Sequence, residues 1–301
     1  TVAISAYALT TLADCKTHMG ITNTDDDALL TEMINAATDK IERLCRRKFE
    51  ARDHKERISV SGRAGTLKVR NNPIISLTRV SYGRANALRC SYSGSQIRAV
   101  VYVTELAVVQ KSWNASGTVT TNTQTFASYA SASTLATQIA TVSGWSATLE
   151  SDCLAEDIHP VAGQNAKSKT VYLTYPHLFA EPTYVDQEAG IVSLGDDERW
   201  QWDPPRRDAA TFQRGFAYVL IEYNGGYASA STATATAYLA QLCRELVSTA
   251  YKGRGMNLNV SSEHLGDYSY TLISQAELMF DRSIWTQRLA PWINYSLGAI
   301  V

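Results

Sequence analysis

The 301-residue sequence has few charged residues and no long apolar run. Lysine and arginine number 28 against 29 acidic residues, so the formal net charge is -1. This balance excludes a general basic footprint for nucleic acid and an acidic solvating tail. Because no segment approaches the roughly 18 consecutive apolar residues of a membrane helix, we expect no membrane partner. The start lacks the basic region and apolar core of a signal peptide, and Thr1 fits removal of an initiator methionine.

Cysteine is also scarce and irregularly placed. The five cysteines are odd in number and include no C-x-x-C pair, which argues against a disulfide framework and against zinc. We expect buried thiols in a reducing compartment. Three of them, Cys15, Cys45 and Cys243, fall at apolar positions of predicted helices, where a small hydrophobic side chain is the common role.

The common catalytic motifs are missing as well. The sequence contains no phosphate-binding P-loop, no H-E-x-x-H, no G-x-S-x-G and no G-x-G-x-x-G after a strand, and its five histidines lack metal spacing. The run Asp25 to Asp27 lacks the alternating oxygens and glycine of a calcium loop. The run Asp196 to Glu198 is either a solvated turn or a carboxylate site. We therefore predict no enzyme, with no catalytic, cofactor-binding or metal residues.

Two helices are predicted between residues 8 and 49. Thr10 and Thr11 precede the first helix, and Gly20 closes it. In the second helix Thr24 stands three residues before Asp27, as in a carboxylate capping box, and the acidic residues there favour the helix dipole. Its apolar residues recur at spacings of three and four and form one stripe: Leu30, Met33, Ile34, Ala37, Ile41, Leu44 and Cys45.

A basic cluster follows at the end of this helix. It consists of Arg43, Arg46, Arg47 and Lys48. Cations at a helix C-terminus interact favourably with the helix dipole. Clustered cations can also face DNA phosphates in a channel. Both interpretations stay open from the sequence.

The order of these signals resembles the N-terminus of phage head-to-tail connector (adaptor) proteins. The similarity covers the short helix, the Gly-Ile-Thr turn, the Asp-Asp-Asp-Ala-Leu-Leu start and the Pro-Ile-Ile-Ser-Leu-Thr-Arg-Val segment that begins at Pro73. Near the other end, Leu265 to Tyr270 resembles the closing segment of that family. The resemblance implies a long variant of the family with an inserted domain.

The middle of the chain alternates in hydropathy and predicts short antiparallel strands. Ser133 to Ile139 has a hydroxyl cap and helical spacing, which predicts a helix over 134–142 between strands. The fold class is α+β: a bundle of N- and C-terminal helices, a central β-rich lobe and an inserted small β-α-β domain. The predicted units are residues 1–53, 54–95 with 177–230, 96–176, and 231–301.

Two aromatic segments are candidate contact surfaces, because Trp and Arg are enriched at interface hot spots. The first is a proline-containing loop with Trp200, Trp202, Arg206 and Arg207. The second is the aperiodic terminus, where we predict a third helix over 274–284 followed by an arm that reaches the portal or a neighbouring subunit. The arm residues are Trp285, Pro291, Trp292 and Tyr295.

The resemblance implies a structural virion protein that forms a ring, a dodecamer if it matches the portal. Its partners would be the portal protein, a neck or tail-completion protein and further copies of itself, with genome DNA passing through the lumen unread. It would be located in the virion and, during assembly, in the host cytoplasm. The alternative is a carbohydrate-binding or tail-associated β module, for which four tryptophans are stacking candidates: Trp113, Trp145, Trp200 and Trp202.

Overall fold

A computed structural model describes the chain over residues 3–60, 66–182, 184–193, 215–228, 234–254, 262–265, 268–271, 282–293 and 298–300. Over these residues the fold combines five α-helices with several antiparallel sheets, which confirms the α+β class. None of the helices described combines the length and the apolar character that crossing a membrane requires.

The helices are α1 (Leu12–Met19), α2 (Asp27–Cys45), α3 (Ala132–Thr141), α4 (Ala237–Gly253) and α5 (Arg282–Leu289). The hydroxyl of Thr11 caps α1 by accepting a hydrogen bond from the backbone N–H of Asp14. Gly20 ends the helix with φ at +71°, in the left-handed region that glycine enters without a Cβ penalty. The predicted start and stop of this helix are both confirmed.

The acidic start of α2 differs from its prediction. The capping box is wrong, because Asp26 is the N-cap residue and no side chain caps the helix. Instead, the Asp26 carboxylate accepts hydrogen bonds from Tyr251 Oη at 2.5 Å and Arg254 Nη2 at 2.9 Å, both at the end of α4. Asp27 pairs with Lys16 of α1 at 2.7 Å. The acidic run therefore connects three helices.

The N- and C-terminal helices share one apolar core. The predicted stripe of α2 faces α4, and α5 contributes Trp285 and Leu289 to the same cluster. Cys15, Cys45 and Cys243 are buried in it, as expected, and Cys90 is buried elsewhere, whereas Cys153 is half-buried. Burial raises the pKa of the Cys90 thiol to about 12, so this thiol stays protonated at neutral pH.

Seventeen strands lie in the described residues. In chain order they are β1 (Arg52–Val60), β2 (Thr66–Lys68), β3 (Ile74–Tyr82), β4 (Ala85–Tyr92), β5 (Arg98–Val103), β6 (Ala107–Trp113), β7 (Val119–Thr125), β8 (Trp145–Leu149), β9 (Val161–Asn165), β10 (Val171–Tyr175), β11 (Leu178–Ala180), β12 (Tyr184–Asp186), β13 (Ile191–Ser193), β14 (Gly215–Gly225), β15 (Ser262–Leu265), β16 (Tyr268–Thr271) and β17 (Gly298–Ile300).

Strands from distant parts of the chain pair in two of the sheets. The first has the order β1-β14-β3-β11, and β1 runs antiparallel to β14 with Ile58 opposite Val219. The second has the order β12-β13-β2-β17. Residues of both sheets, among them Leu67, Val80 and Val192, share one apolar cluster. Strands β15 and β16 form a separate hairpin over the segment that resembles the family's closing residues.

Residues 85–175 form a lobe with its own apolar core, called the α3 lobe below. It contains sheets β7-β6-β5-β9 and β10-β4-β8, which pack with α3 around a core that includes Leu88, Val101 and Leu135. Strand β4 lies before residue 96, yet it pairs with both β8 and β10. Helix α3 begins two residues earlier than predicted, because Ser131 and Thr134 form a reciprocal capping box.

Candidate functional site

The chain's last described helix carries one of the predicted contact residues into the core. Trp285 is 6% exposed and belongs to the apolar cluster of α1, α2 and α4. The prediction that this tryptophan lies on an arm is therefore wrong. The described part of the predicted third helix is α5, which begins at Arg282 and turns the Trp285 ring inward. Although Trp285 lies near the end of the sequence, it packs against helices that are remote from it in sequence.

The end of α5 instead supports a surface cluster. Trp292 is half-buried and stacks on Tyr238 at the start of α4, with ring centroids 5.4 Å apart and ring planes 16° apart. Arg288 donates a hydrogen bond to Tyr238 Oη at 3.2 Å and pairs with Glu245 at 2.7 Å. Pro291 is exposed beside them. We call Tyr238, Arg288, Pro291 and Trp292 the aromatic patch.

The aromatic patch has the composition of a protein association surface. Tyr, Trp and Arg dominate interface hot spots because they bury much area around fixed polar groups. Tyr238 keeps 38% of its surface exposed, and the ion pair to Glu245 fixes the Arg288 guanidinium. Sequence reasoning identified Pro291 and Trp292 but missed Tyr238 and Arg288, because nothing local signals that the start of α4 meets the end of α5. Tyr295 lies outside the described residues.

The other predicted contact loop lies outside the described residues. This applies to Trp200, Trp202, Arg206 and Arg207, and to the run Asp196 to Glu198.

The basic cluster is divided between the surface and the interior. Arg43 is exposed and pairs with Asp39, and Arg46 is exposed at the left-handed C-cap of α2. Arg47 is buried and donates a hydrogen bond to the carbonyl of Asn72, so its guanidinium belongs to the interior of the fold.

The fourth member of the basic cluster, Lys48, pairs with the buried carboxylate of Glu42 at 2.6 Å. Arg52 pairs with the same carboxylate at 3.0 Å. A buried carboxylate held by two cations is a structural arrangement, because the Glu42 charge needs cationic partners inside the fold. One net positive charge remains in this group, and the Lys48 side chain is 42% exposed. Arg43 and Arg46 are the most exposed members of the basic cluster.

Three carboxylates gather where the α3 lobe meets sheet β1-β14-β3-β11. Glu156, Asp157 and Glu222 have oxygens within 4.8 Å of one another, a spacing that could hold a metal ion. The chain's own cations already occupy this group, since Lys55 contacts all three carboxylates and Arg79 pairs with Asp157 and Glu222. The arrangement therefore links the lobe to the sheet.

The α3 lobe contains a cleft of about 530 Å³ with a mainly polar lining. Its lining includes Ser112, Asn122 and Trp145. Trp145 is only 5% exposed and meets Tyr92 edge to face, and the Trp113 ring is covered by the Arg98 guanidinium at 4.7 Å. Stacking on a sugar needs an open aromatic face. Trp145 therefore offers no free platform for the saccharide alternative, and one face of the half-buried Trp113 ring is already covered.

The aromatic patch gives the helical core a surface rich in Tyr, Trp and Arg, a composition typical of protein association. Residues 9–85 match the family model of the phage gp6-like head-tail connector protein. The predicted resemblance to phage head-to-tail connectors is thereby confirmed, and the matched segment runs from the residue before Thr10 to the first residue of β4.

A chain in a structure titled "Neck of empty GTA particle computed with C6 symmetry" is similar at 14% sequence identity and a TM-score of 0.34, over 93% of each chain. No curated protein matches the sequence.

Proposed function

We propose that the chain is a structural virion protein, a head-to-tail connector that docks under the portal as a ring. In this role it extends the DNA channel, provides the platform for the next neck or tail protein, and catalyses no reaction. The observation that carries the proposal is the match of residues 9–85 to the head-tail connector family model. The protein would be located at the head-to-tail junction of the virion, after assembly in the host cytoplasm.

The packing of the helices supports one connector framework. Helices α1 and α2 belong to the matched segment, and they share their apolar core with α4 and α5 from the far end of the chain. The aromatic patch lies on the surface of this framework, so we assign it to the contact with the portal protein. The opposite face would receive the neck or tail-completion protein.

The α3 lobe would be an addition to this framework. The family match ends at residue 85, the first residue of β4, and the lobe's separate core begins with that strand. We therefore place the start of the inserted domain at residue 85 rather than 96, and keep the other predicted units as proposed. The lobe would decorate the outside of the ring.

The DNA in the lumen would meet few cations from α2. Arg43 and Arg46 are exposed, and they are the members of the basic cluster that we propose as lumen-facing. Two cations per subunit would line the channel without reading sequence, because phosphate contacts carry no base information. A dodecamer remains the copy number that we propose.

The decisive experiment measures mass by native mass spectrometry for the protein alone and mixed with the portal protein of the same virus. A ring-sized complex with the portal supports the connector. No association at any salt concentration would rule it out. Deleting the chain from Trp285 onward is unsuitable as a test, because that deletion removes two core residues, Trp285 and Leu289.

Trp292→Ala should weaken the complex with the portal. The substitution removes one half of the stack on Tyr238 and a large apolar contact surface. Truncation of a hot-spot tryptophan costs about 2 kcal/mol or more, so the dissociation constant should rise roughly 30-fold. Binding to immobilised portal rings would measure this change.

The matched control is Trp113→Ala, which truncates another half-buried tryptophan on the α3 lobe. It should leave portal affinity unchanged. Equal losses in the two variants would contradict the assignment of the aromatic patch to the portal contact, while leaving the connector itself in place.

A further inference from the structure

The α3 lobe presents two open sheet edges that fit each other. We propose that strand β7 of one copy pairs antiparallel with strand β9 of the next copy, so that sheet β7-β6-β5-β9 continues across the subunit boundary. This inference deepens the proposed function, since it names the contact between neighbouring subunits of the ring.

Strand β7 is a long outer strand without the usual protection. It pairs with β6 in unbroken register, from Val119 opposite Trp113 to Thr125 opposite Ala107, and the described residues provide no strand on its other side. Its sequence, VTTNTQT, contains no charge, proline or glycine. Proteins normally protect an exposed edge with charges, proline, bulges or a covering element, because unpaired backbone groups recruit other strands.

Another outer strand in the same molecule shows that protection. Strand β1 ends sheet β1-β14-β3-β11 and has the sequence RDHKERISV, which carries five charged residues in its first six positions. The two outer strands thus differ in charge, since β1 is highly charged and β7 carries no charge. The unprotected edge of β7 is suited to pairing with a further strand.

Strand β9 forms the opposite edge of the same four-stranded sheet. It pairs with β5 on its inner side, and the sheet order ends there among the described residues. Its sequence, VAGQN, is also uncharged and lacks proline, and Ala162, Gly163 and Asn165 are exposed. Unlike β7, it has a register shift against its inner neighbour, between Val101 and Val103 of β5. The sheet therefore has two uncharged edges that can accept main-chain hydrogen bonds.

Strand direction selects which edges meet. Each neighbouring pair in the sheet is antiparallel, so with four strands β7 and β9 run in opposite directions. Copies repeated head to tail then bring β7 against β9 as an antiparallel ladder, which continues the alternation of the sheet. Such a heterologous contact can close into a ring. A β7–β7 contact would be two-fold symmetric and would stop at a dimer.

The test blocks each edge separately in the full-length protein. Thr121→Lys with Thr123→Lys places two charges on β7, and Ala162→Lys with Gln164→Lys places two on β9. Thr137→Lys with Ala140→Lys adds the same charge to exposed positions of α3 as the control. Sedimentation velocity gives the mass distribution of each variant as concentration rises to about 1 mM, a range that detects weak contacts.

The wild type and the α3 control should form species larger than a dimer, and each edge variant alone should stay monomeric. An equimolar mixture of the two edge variants should form a heterodimer and nothing larger. The β9 variant supplies the one intact β7 edge, and the β7 variant supplies the one intact β9 edge. Two results would overturn the inference: a monomeric wild type at the highest concentration, or an edge variant of either kind that forms a dimer or a larger species by itself.

Portal binding is scored separately for the same proteins. Edge variants that bind the portal and self-associate as the wild type does would refute the β7–β9 contact while the connector stands. If no protein bound the portal, including the wild type, the connector proposal would be refuted. The sedimentation data would still test the β7–β9 contact independently.

Discussion

Trp285→Ala should lower the free energy of unfolding by about 3–5 kcal/mol, the usual cost of removing a large aromatic side chain from a core. Trp285 is 6% exposed and shares its apolar cluster with residues of α1, α2 and α4. Its loss would leave a cavity between elements that are far apart in the sequence, where the backbone cannot easily collapse. Urea denaturation followed by circular dichroism measures the change.

Two further variants make this result specific. Trp285→Phe keeps most of the apolar volume and should lose less than half as much stability. Trp292→Ala, at a half-buried position on the aromatic patch, should cost less stability than Trp285→Ala but more portal affinity. If Trp285→Ala kept full stability and abolished portal binding, Trp285 would be a contact residue after all, as the sequence suggested.

The features predicted correctly are those whose signals are local. Helix α1 follows from Thr11 and Gly20, and α2 follows from an apolar stripe at helical spacing, so neither needs knowledge of the rest of the chain. The family resemblance rests on the order of the same signals. The burial of the α2 stripe was predicted as well, since an amphipathic helix must bury its apolar face against another element.

The features that were missed depend on remote partners. The Asp26 carboxylate turns away from its own helix because Tyr251 and Arg254 offer it hydrogen bonds. The Ser/Thr-rich stretch between residues 112 and 133 hid strand β7, because threonine gives no apolar alternation. Its β-branched side chains nevertheless favour strands, and that signal could have identified β7.

Asp157→Asn should be the most destabilising substitution at the boundary of the α3 lobe, at about 3 kcal/mol. The Asp157 carboxylate is 5% exposed and accepts hydrogen bonds from Lys55 at 2.7 Å and from Arg79 at 2.8 and 2.9 Å. The asparagine has the same shape but no charge, so it leaves two cations with Glu222 as their main remaining partner. Breaking one partner of a buried ion pair costs about 3–5 kcal/mol.

The same carboxylate makes stability depend on pH. Burial alone would raise the pKa of Asp157, but hydrogen bonds from Arg79 and Lys55 hold it below its ordinary value of 3.8. The pKa of Glu222 likewise lies below its ordinary 4.5, because the same cations outweigh the effect of burial. For a depressed pKa, the stabilisation is present above the unfolded value and is lost as pH falls through the folded value.

Wild-type stability should therefore be constant near neutral pH and fall below about pH 4, the region of the ordinary carboxyl values. The free energy of unfolding of the Asp157→Asn variant should be lower at neutral pH. It should also fall less steeply in acid, because one titrating carboxylate is gone. Glu105→Gln is the control, since Glu105 pairs with Arg57 at the same boundary but its side chain is 67% exposed, and its loss should cost less than about 1 kcal/mol. An Asp157→Asn protein with wild-type stability and an unchanged acid limb would show that the carboxylate group does not hold the α3 lobe to the sheet.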